Sequence, residues 1–226
     1  MANRQLILDA AARVYGEVGF RGATTRRIAA EAGVNEVTLF RIFGSKASLL
    51  SEALHSCGPS NDVRPELPDE PADPERELIA WATGHLGHLE RNATLIRTMM
   101  GEYDERPEVG SPLCEGPRCA IAQVGRYLGQ LRRRGWIDPD VSPQFGASTL
   151  LGMLFSDAMG RELMPELYPL SPTAAARHYV RFLLRAIGYR APKVGKQKAG
   201  AGSATTRGPA RKRTAAPAES RSRKGS

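Results

Sequence analysis

Residues 24–46 read Thr24-Thr25-Arg26-Arg27-Ile28-Ala29-Ala30-Glu31-Ala32-Gly33-Val34-Asn35-Glu36-Val37-Thr38-Leu39-Phe40-Arg41-Ile42-Phe43-Gly44-Ser45-Lys46. Thr24 and Thr25 offer hydroxyls to the unpaired amides of a helix start. Ile28, Ala29 and Ala32 then recur at helical spacing on one face. Gly33 is the stop, because the left-handed backbone that ends a helix costs glycine least. Val34 follows as a plug expected to be buried in the corner, and Asn35 is a good cap for the next helix. In that helix Leu39 and Phe43, four residues apart, point inward and leave Glu36, Val37, Thr38 and Arg41 facing out. Two short helices joined by a glycine turn, the second presenting readers rather than core, are the means by which a chain puts a helix into DNA.

Upstream, residues 3–18 form a helix with Ile7, Ala11, Val14 and Val18 on one stripe, and Gly19-Phe20-Arg21-Gly22 turns the chain back. Downstream, Ser45 is placed to cap a fourth helix from Lys46 to about His55, with Leu49, Leu50, Ala53 and Leu54 buried. The amino terminus of that helix is expected beside the reading helix.

On these residues, segment 4–56 resembles the amino-terminal domain of the TetR family of helix-turn-helix regulators. The family's pattern is a threonine-rich helix start, Ile-Ala, Ala-Gly-Val, a Leu-Tyr pair, an aromatic and a lysine opening the next helix. Thr24, Thr25, Ile28, Ala29, Ala32, Gly33, Val34, Leu39, Phe43 and Lys46 stand in those places. Two positions depart from it. Phe40 stands where the family usually has Tyr and Ile42 where it often has His or Tyr, and neither can donate a hydrogen bond to phosphate. The resemblance implies phosphate contacts from Thr25 and Lys46 and base contacts from Arg26, Glu36, Val37 and Thr38. Their chemistry suits this: Arg26 can bind guanine bidentately, Glu36 can accept from cytosine and Thr38 can meet a thymine methyl. Arg27 and Arg41 are expected on phosphate, and Asn35 and Phe40 complete the DNA-facing set. The plain alternative for each is an ordinary solvated side chain.

The net charge of +8 is unevenly spread. Residues 191–226 hold 10 Lys or Arg and one acid, Glu219, whereas residues 1–190 hold 22 basic and 23 acidic residues. A tail of Lys, Arg, Ala, Gly, Ser, Thr and Pro without an aromatic cannot bury enough apolar surface to order itself, so 191–226 is expected to be a disordered basic tail. It is either a solubilising extension or a cationic arm that adds phosphate contacts. No run long enough to span a bilayer occurs, and the polar start Asn3-Arg4-Gln5 argues against a secretory signal. Cys57, Cys114 and Cys119 make no disulfide framework. A cytoplasmic protein with no membrane partner is expected.

At 226 residues the chain needs a second core beyond a helix-turn-helix domain at 1–57. Six Gly or Pro residues between Gly58 and Pro74 mark 58–74 as a linker. Residues 75–190 are then helical throughout, which makes the fold all-α. Leu78, Ala82, His85, Leu86 and Leu89 form one stripe, Leu95, Ile96, Met99, Met100 and Tyr103 the next, and Ile121, Val124, Leu128 and Leu131 a third. Cys114 and Cys119 flank Gly116-Pro117 in an expected loop. Residues 143–163 are apolar over more than one face, and 172–187 supply another apolar face, so this surface is expected to meet a partner or to be core.

The resemblance favours a partner, because the family's carboxy-terminal domain typically dimerises through its last two long helices as a four-helix bundle. It implies a tetracycline-repressor-like fold and a homodimeric repressor on a near-palindromic, double-stranded DNA operator. It also implies an unknown small-molecule effector, lodged among His85, Leu86, Leu89, Met99, Met100, Tyr103, Leu128 and Phe155, though these residues are equally suited to a plain core. No glycine-rich phosphate loop, nucleophile elbow or paired-carboxylate motif is present, so no enzyme and no cofactor are expected. His85 and His88 stand three apart, but no carboxylate or cysteine at recognisable spacing completes a metal site. The rival to a specific regulator is a nonspecific or architectural DNA-binding protein that uses the basic tail.

Overall fold

The structure, a computed structural model, describes residues 2–56, 66–107 and 110–191. Cys57, the first half of the expected linker and all but the first residue of the expected tail lie outside the described residues. Among the described residues there are nine helices and no strand. They are α1 (Ala2–Gly22), α2 (Thr25–Glu31), α3 (Glu36–Phe43), α4 (Lys46–Ser56), α5 (Pro74–Arg91), α6 (Ala93–Glu102), α7 (Gly110–Arg133), α8 (Pro143–Gly160) and α9 (Pro172–Ala186).

Two cores hold these helices. The first gathers Ile7 and Tyr15 of α1, Ile28 of α2, Leu39 of α3 and Leu49 of α4, all fully buried. Leu95 and Met99 of α6 belong to it as well. Each such side chain contributes on the order of 1.5–3 kcal/mol by leaving water, so α6 is held to the first four helices by burial as well as by chain connection. The second core joins α5 (Leu78, Leu86), α7 (Val124, Leu128), α8 (Leu150) and α9 (Val180).

The turn expected at 19–22 is a single broken residue. Gly19 has φ 66°, and residues on either side of it are helical. The amide of Phe20, released by the break, donates to Glu102 Oε1 at 2.9 Å. A Cβ at position 19 would clash with that same oxygen, so glycine is required both for its backbone and for the close approach.

Three expectations are corrected here. Cys114 and Cys119 lie within α7 rather than in a loop, although Pro117 stands inside that helix. The apolar stripe of Ile121 and Val124 continues upstream through Leu113 and Pro117 at helical spacing, and the gain from packing it exceeds the cost of one interior proline. Val34 is half-buried rather than a fully buried plug, because the corner is closed by backbone hydrogen bonds more than by its side chain. The helix expected to reach 163 ends at Gly160, where Tyr168 packs so closely that a Cβ would lie 2.5 Å from its ring.

Candidate nucleic-acid interface and adjoining cavity

The helix-turn-helix is built by local backbone chemistry. The Thr24 hydroxyl oxygen accepts from the Arg27 amide at 3.2 Å and starts α2. At its end, Val34 N donates to Ala29 O at 2.9 Å and Gly33 N to Ala30 O at 3.2 Å, with Gly33 at φ 66°. That pair of bonds is the glycine-terminated helix end that leaves the next residues free to start again. Asn35 Oδ1 then accepts from Val37 N at 2.9 Å and opens α3. Gly44 ends α3, and Ser45 Oγ accepts from Ser48 N at 3.0 Å to open α4.

Leu39 and Phe43 are buried, which turns the other side of α3 outward. Val37 is 72 % exposed and Phe40 46 % exposed, and Arg26 and Arg41 are exposed as well. Thr38 and Glu36 are half-buried. Two expected contacts are engaged with each other: the Thr25 hydroxyl donates to Glu36 Oε1 at 2.5 Å. Thr25 therefore does not share the capping of α2 with Thr24. Arg27 is drawn back to Glu17 at 2.9 Å, away from an unencumbered phosphate role.

Lys46 opens α4 with its Nζ 4.3 Å from the centroid of the Phe20 ring, and the Arg106 guanidinium lies 3.2 Å from the same centroid. Burial lowers the Lys46 pKa below the usual lysine range, the Arg106 charge adds to this, and Glu102 opposes it. Glu102 also accepts from the Tyr15 hydroxyl at 2.7 Å. The Thr98 hydroxyl donates to Gly16 O at 2.6 Å. The last turns of α6 are thus bonded to α1 where it breaks, beside the lysine that opens α4.

A cavity of about 560 Å³ lies against α6. Of the eight residues expected to form an effector pocket, His85, Leu89, Met99, Met100 and Phe155 line it. Leu86 and Leu128 do not, since both are fully buried in the second core. Tyr103 does not either: it stands 48 % exposed past the end of α6. Helical spacing placed seven of the eight on apolar stripes, and Phe155 in a helix apolar over more than one face, but gave no means of telling the part of a helix that faces a void from the part that meets another helix. The cavity also takes in Leu54 of α4, which the sequence pattern gave only as buried. His85 is stacked on Trp81, with centroids 4.8 Å apart, and lies 6.4 Å from His88.

A second polar cluster escaped the sequence pattern. Asp157, fully buried in α8, accepts from Tyr179 at 2.8 Å and from Arg161 at 2.6 Å. Arg161 Nε lies 3.2 Å from Glu90 Oε1. Burial raises the Glu90 pKa, and Arg161 opposes that rise. An acid inside the apolar run 150–159 was the available signal.

Comparison with known proteins places this architecture. Residues 7–53 match the family model for bacterial regulatory proteins of the tetR family, and residues 78–191 match that for the carboxy-terminal domain of AefR-like transcriptional repressors. The uncharacterized HTH-type transcriptional regulator YvkB of Bacillus subtilis is 32 % identical over 131 residues, covering 58 % of this chain and 68 % of that protein. The fold is shared with a protein of Mesorhizobium loti assigned to the TetR family (TM-score 0.68, 24 % identity, 83 % of this chain and 97 % of that one). It is also shared with SmeT, the repressor of a Stenotrophomonas maltophilia multidrug efflux pump (TM-score 0.61, 22 % identity, 81 % and 89 %). With a helix-turn-helix built as described and both halves matched, the chain belongs to the TetR family of DNA-binding transcriptional regulators.

Proposed function

We propose that the chain is a homodimeric repressor that binds a near-palindromic operator and is released by a small molecule held in the cavity. The observation that carries this is the position of α6. Leu95 and Met99 pack in the first core and also line the cavity, while Thr98 and Glu102 are bonded to α1. A molecule in the cavity touches α6 and, through Leu54, α4 itself. It shifts the reading helices only if it binds the DNA-incompetent arrangement more tightly than the competent one.

Dimerisation through α8 and α9 is supported by exposed aromatics on both, Phe145 at 74 % and Phe182 at 62 %. The connecting segment adds exposed Leu163 and Leu167. Exposed apolar surface of this kind marks a partner, and a twofold partner places two reading helices about 34–36 Å apart, one turn of DNA. Repression as the sign of control is carried over from the AefR-like repressor match and from SmeT. In the reading face, Arg26, Val37, Thr38 and Phe40 meet bases, while Arg41 and Lys46 meet phosphate; the Thr25 hydroxyl, given to Glu36, is not counted among them.

Selection of bound fragments from random duplex DNA by the purified protein, followed by sequencing, tests this reading. A short inverted repeat with half-sites one helical turn apart is the expected result. Enrichment of no motif overturns it and leaves sequence-independent binding by the basic residues of 193–224 as the better account.

A further inference from the structure

The cavity has a one-sided charge inventory. Among the described residues no aspartate or glutamate lines it; its ionisable wall groups are His85, His88, Arg118 and the Cys114 thiol. Glu90, which follows the lining residue Leu89 on α5, is paired instead with Arg161 at 3.2 Å. Glu115, the next residue along α7 from Cys114, is exposed and is not part of the wall. The rest of the lining is mostly apolar, with Ile96 and Met99 from α6, Ile121 from α7 and Leu151 and Phe155 from α8.

The polar atoms are also grouped. His85, His88 and Asn92 recur at three- and four-residue spacing, and so form a row along the cavity side of α5 and its end. Asn92 Nδ2 donates to His88 O at 2.9 Å and lies 3.4 Å from His88 Nδ1, which fixes the end of that row. Trp81 is stacked on His85 from behind the wall and holds the ring's plane.

A cation drawn into this space meets no carboxylate to replace the water it gives up, and faces the like charge of Arg118. A carboxylate meets the Arg118 guanidinium, and charge-assisted hydrogen bonds are the strong ones. An uncharged apolar molecule gains the burial but makes no use of the Arg118 charge. We propose that the cavity binds an amphipathic organic acid, its apolar body against Met99, Leu151 and Phe155 and its carboxylate drawn to Arg118, on the wall that His85, His88 and Asn92 also line. This rests on the cavity being the effector site, and it adds which class of molecule enters it.

The test is calorimetric titration of the full-length protein with two matched series: decanoate, decanol and decyltrimethylammonium, and 2-naphthoate, 2-naphthol and 2-naphthylmethylammonium. In at least one series the acid is expected to bind roughly tenfold or more tightly than the alcohol, with the ammonium weakest. Arg118 is exposed, so Arg118→Met is expected to leave the unfolding midpoint within experimental range of the parent. It is expected to bring the acid down to the alcohol's affinity without changing the alcohol, and Arg118→Lys is expected to restore most of the difference. Equal binding of acid and alcohol in both series, preference for the ammonium, an unaltered acid affinity in Arg118→Met, or no binding by any of the six overturns the proposal. Acid binding that leaves the protein on its DNA leaves this inference standing and defeats release by ligand instead.

Discussion

The Thr25 hydroxyl at the start of α2 donates to the Glu36 carboxylate at the start of α3, at 2.5 Å. The bond ties the two helices of the motif across their shared corner and holds a negative charge on the face proposed to read DNA. Glu36→Gln keeps an oxygen for Thr25 and removes the charge. At low salt the variant is expected to bind random-sequence duplex roughly 3–10-fold more tightly and to discriminate its operator less. Fluorescence anisotropy on the two duplexes measures both, and unchanged binding to random DNA would show that the Glu36 charge is not at the interface.

Tyr15 is fully buried and donates to Glu102 across the α1–α6 contact. Tyr15→Phe removes one donor from a carboxylate that also takes the Phe20 amide. A cost of about 1–3 kcal/mol follows, seen as a lower urea midpoint at an unchanged slope. If Glu102 transmits the effector's push, the same variant also shifts the effector concentration needed for release, a readout that lost stability alone leaves untouched.

Phe182 is exposed on α9 with Phe145 exposed on α8. Phe182→Asp places a charge where an apolar partner face is proposed, and an unpaired interfacial charge is strongly unfavourable. Sedimentation is expected to show a monomer with the helical circular dichroism of the parent. Operator affinity is expected to fall by roughly tenfold or more as the second half-site becomes a separate binding event. A dimer of unaltered strength moves the interface elsewhere.

Glu77 accepts from the amides of Asp73 at 2.9 Å and Ala72 at 3.1 Å, and from the Tyr127 hydroxyl. Burial pushes its pKa up, but these bonds and the Arg134 charge outweigh burial and leave it below the ordinary 4.5. A carboxyl depressed in the folded state contributes stability above its unfolded value and loses it as pH falls through the folded one. Glu77→Gln is therefore expected to lower the unfolding midpoint near neutral pH, with the gap to the parent closing as pH drops below the ordinary glutamate range. A gap independent of pH excludes this linkage.

Residues 191–226 carry 10 basic residues against one acid. Their removal is expected to flatten the plot of log affinity against log salt, by about 0.9 for each duplex phosphate that the tail neutralises. Operator preference is expected to remain, because the reading helix is untouched. An identical slope assigns the tail no part in DNA binding.

The helix-turn-helix was legible residue by residue because its signals are local. A cap at Thr24, a left-handed glycine at 33, a cap at Asn35 and inward Leu39 and Phe43 depend on neighbours within a few positions, and each stands as the sequence led one to expect. The all-α class and the order of helices followed from spacing for the same reason. The proline at 117 misled because its local cost was read without the packing that offsets it along α7. What only the tertiary structure decided is which helical faces meet. It drew Leu95 and Met99 of α6 into the first core, set Glu102 against Tyr15, and left a void lined by Leu54, Met99 and Phe155 while closing over Leu86 and Leu128. Those are contacts between residues distant in sequence, and periodicity records that a side chain turns inward without recording what it meets there.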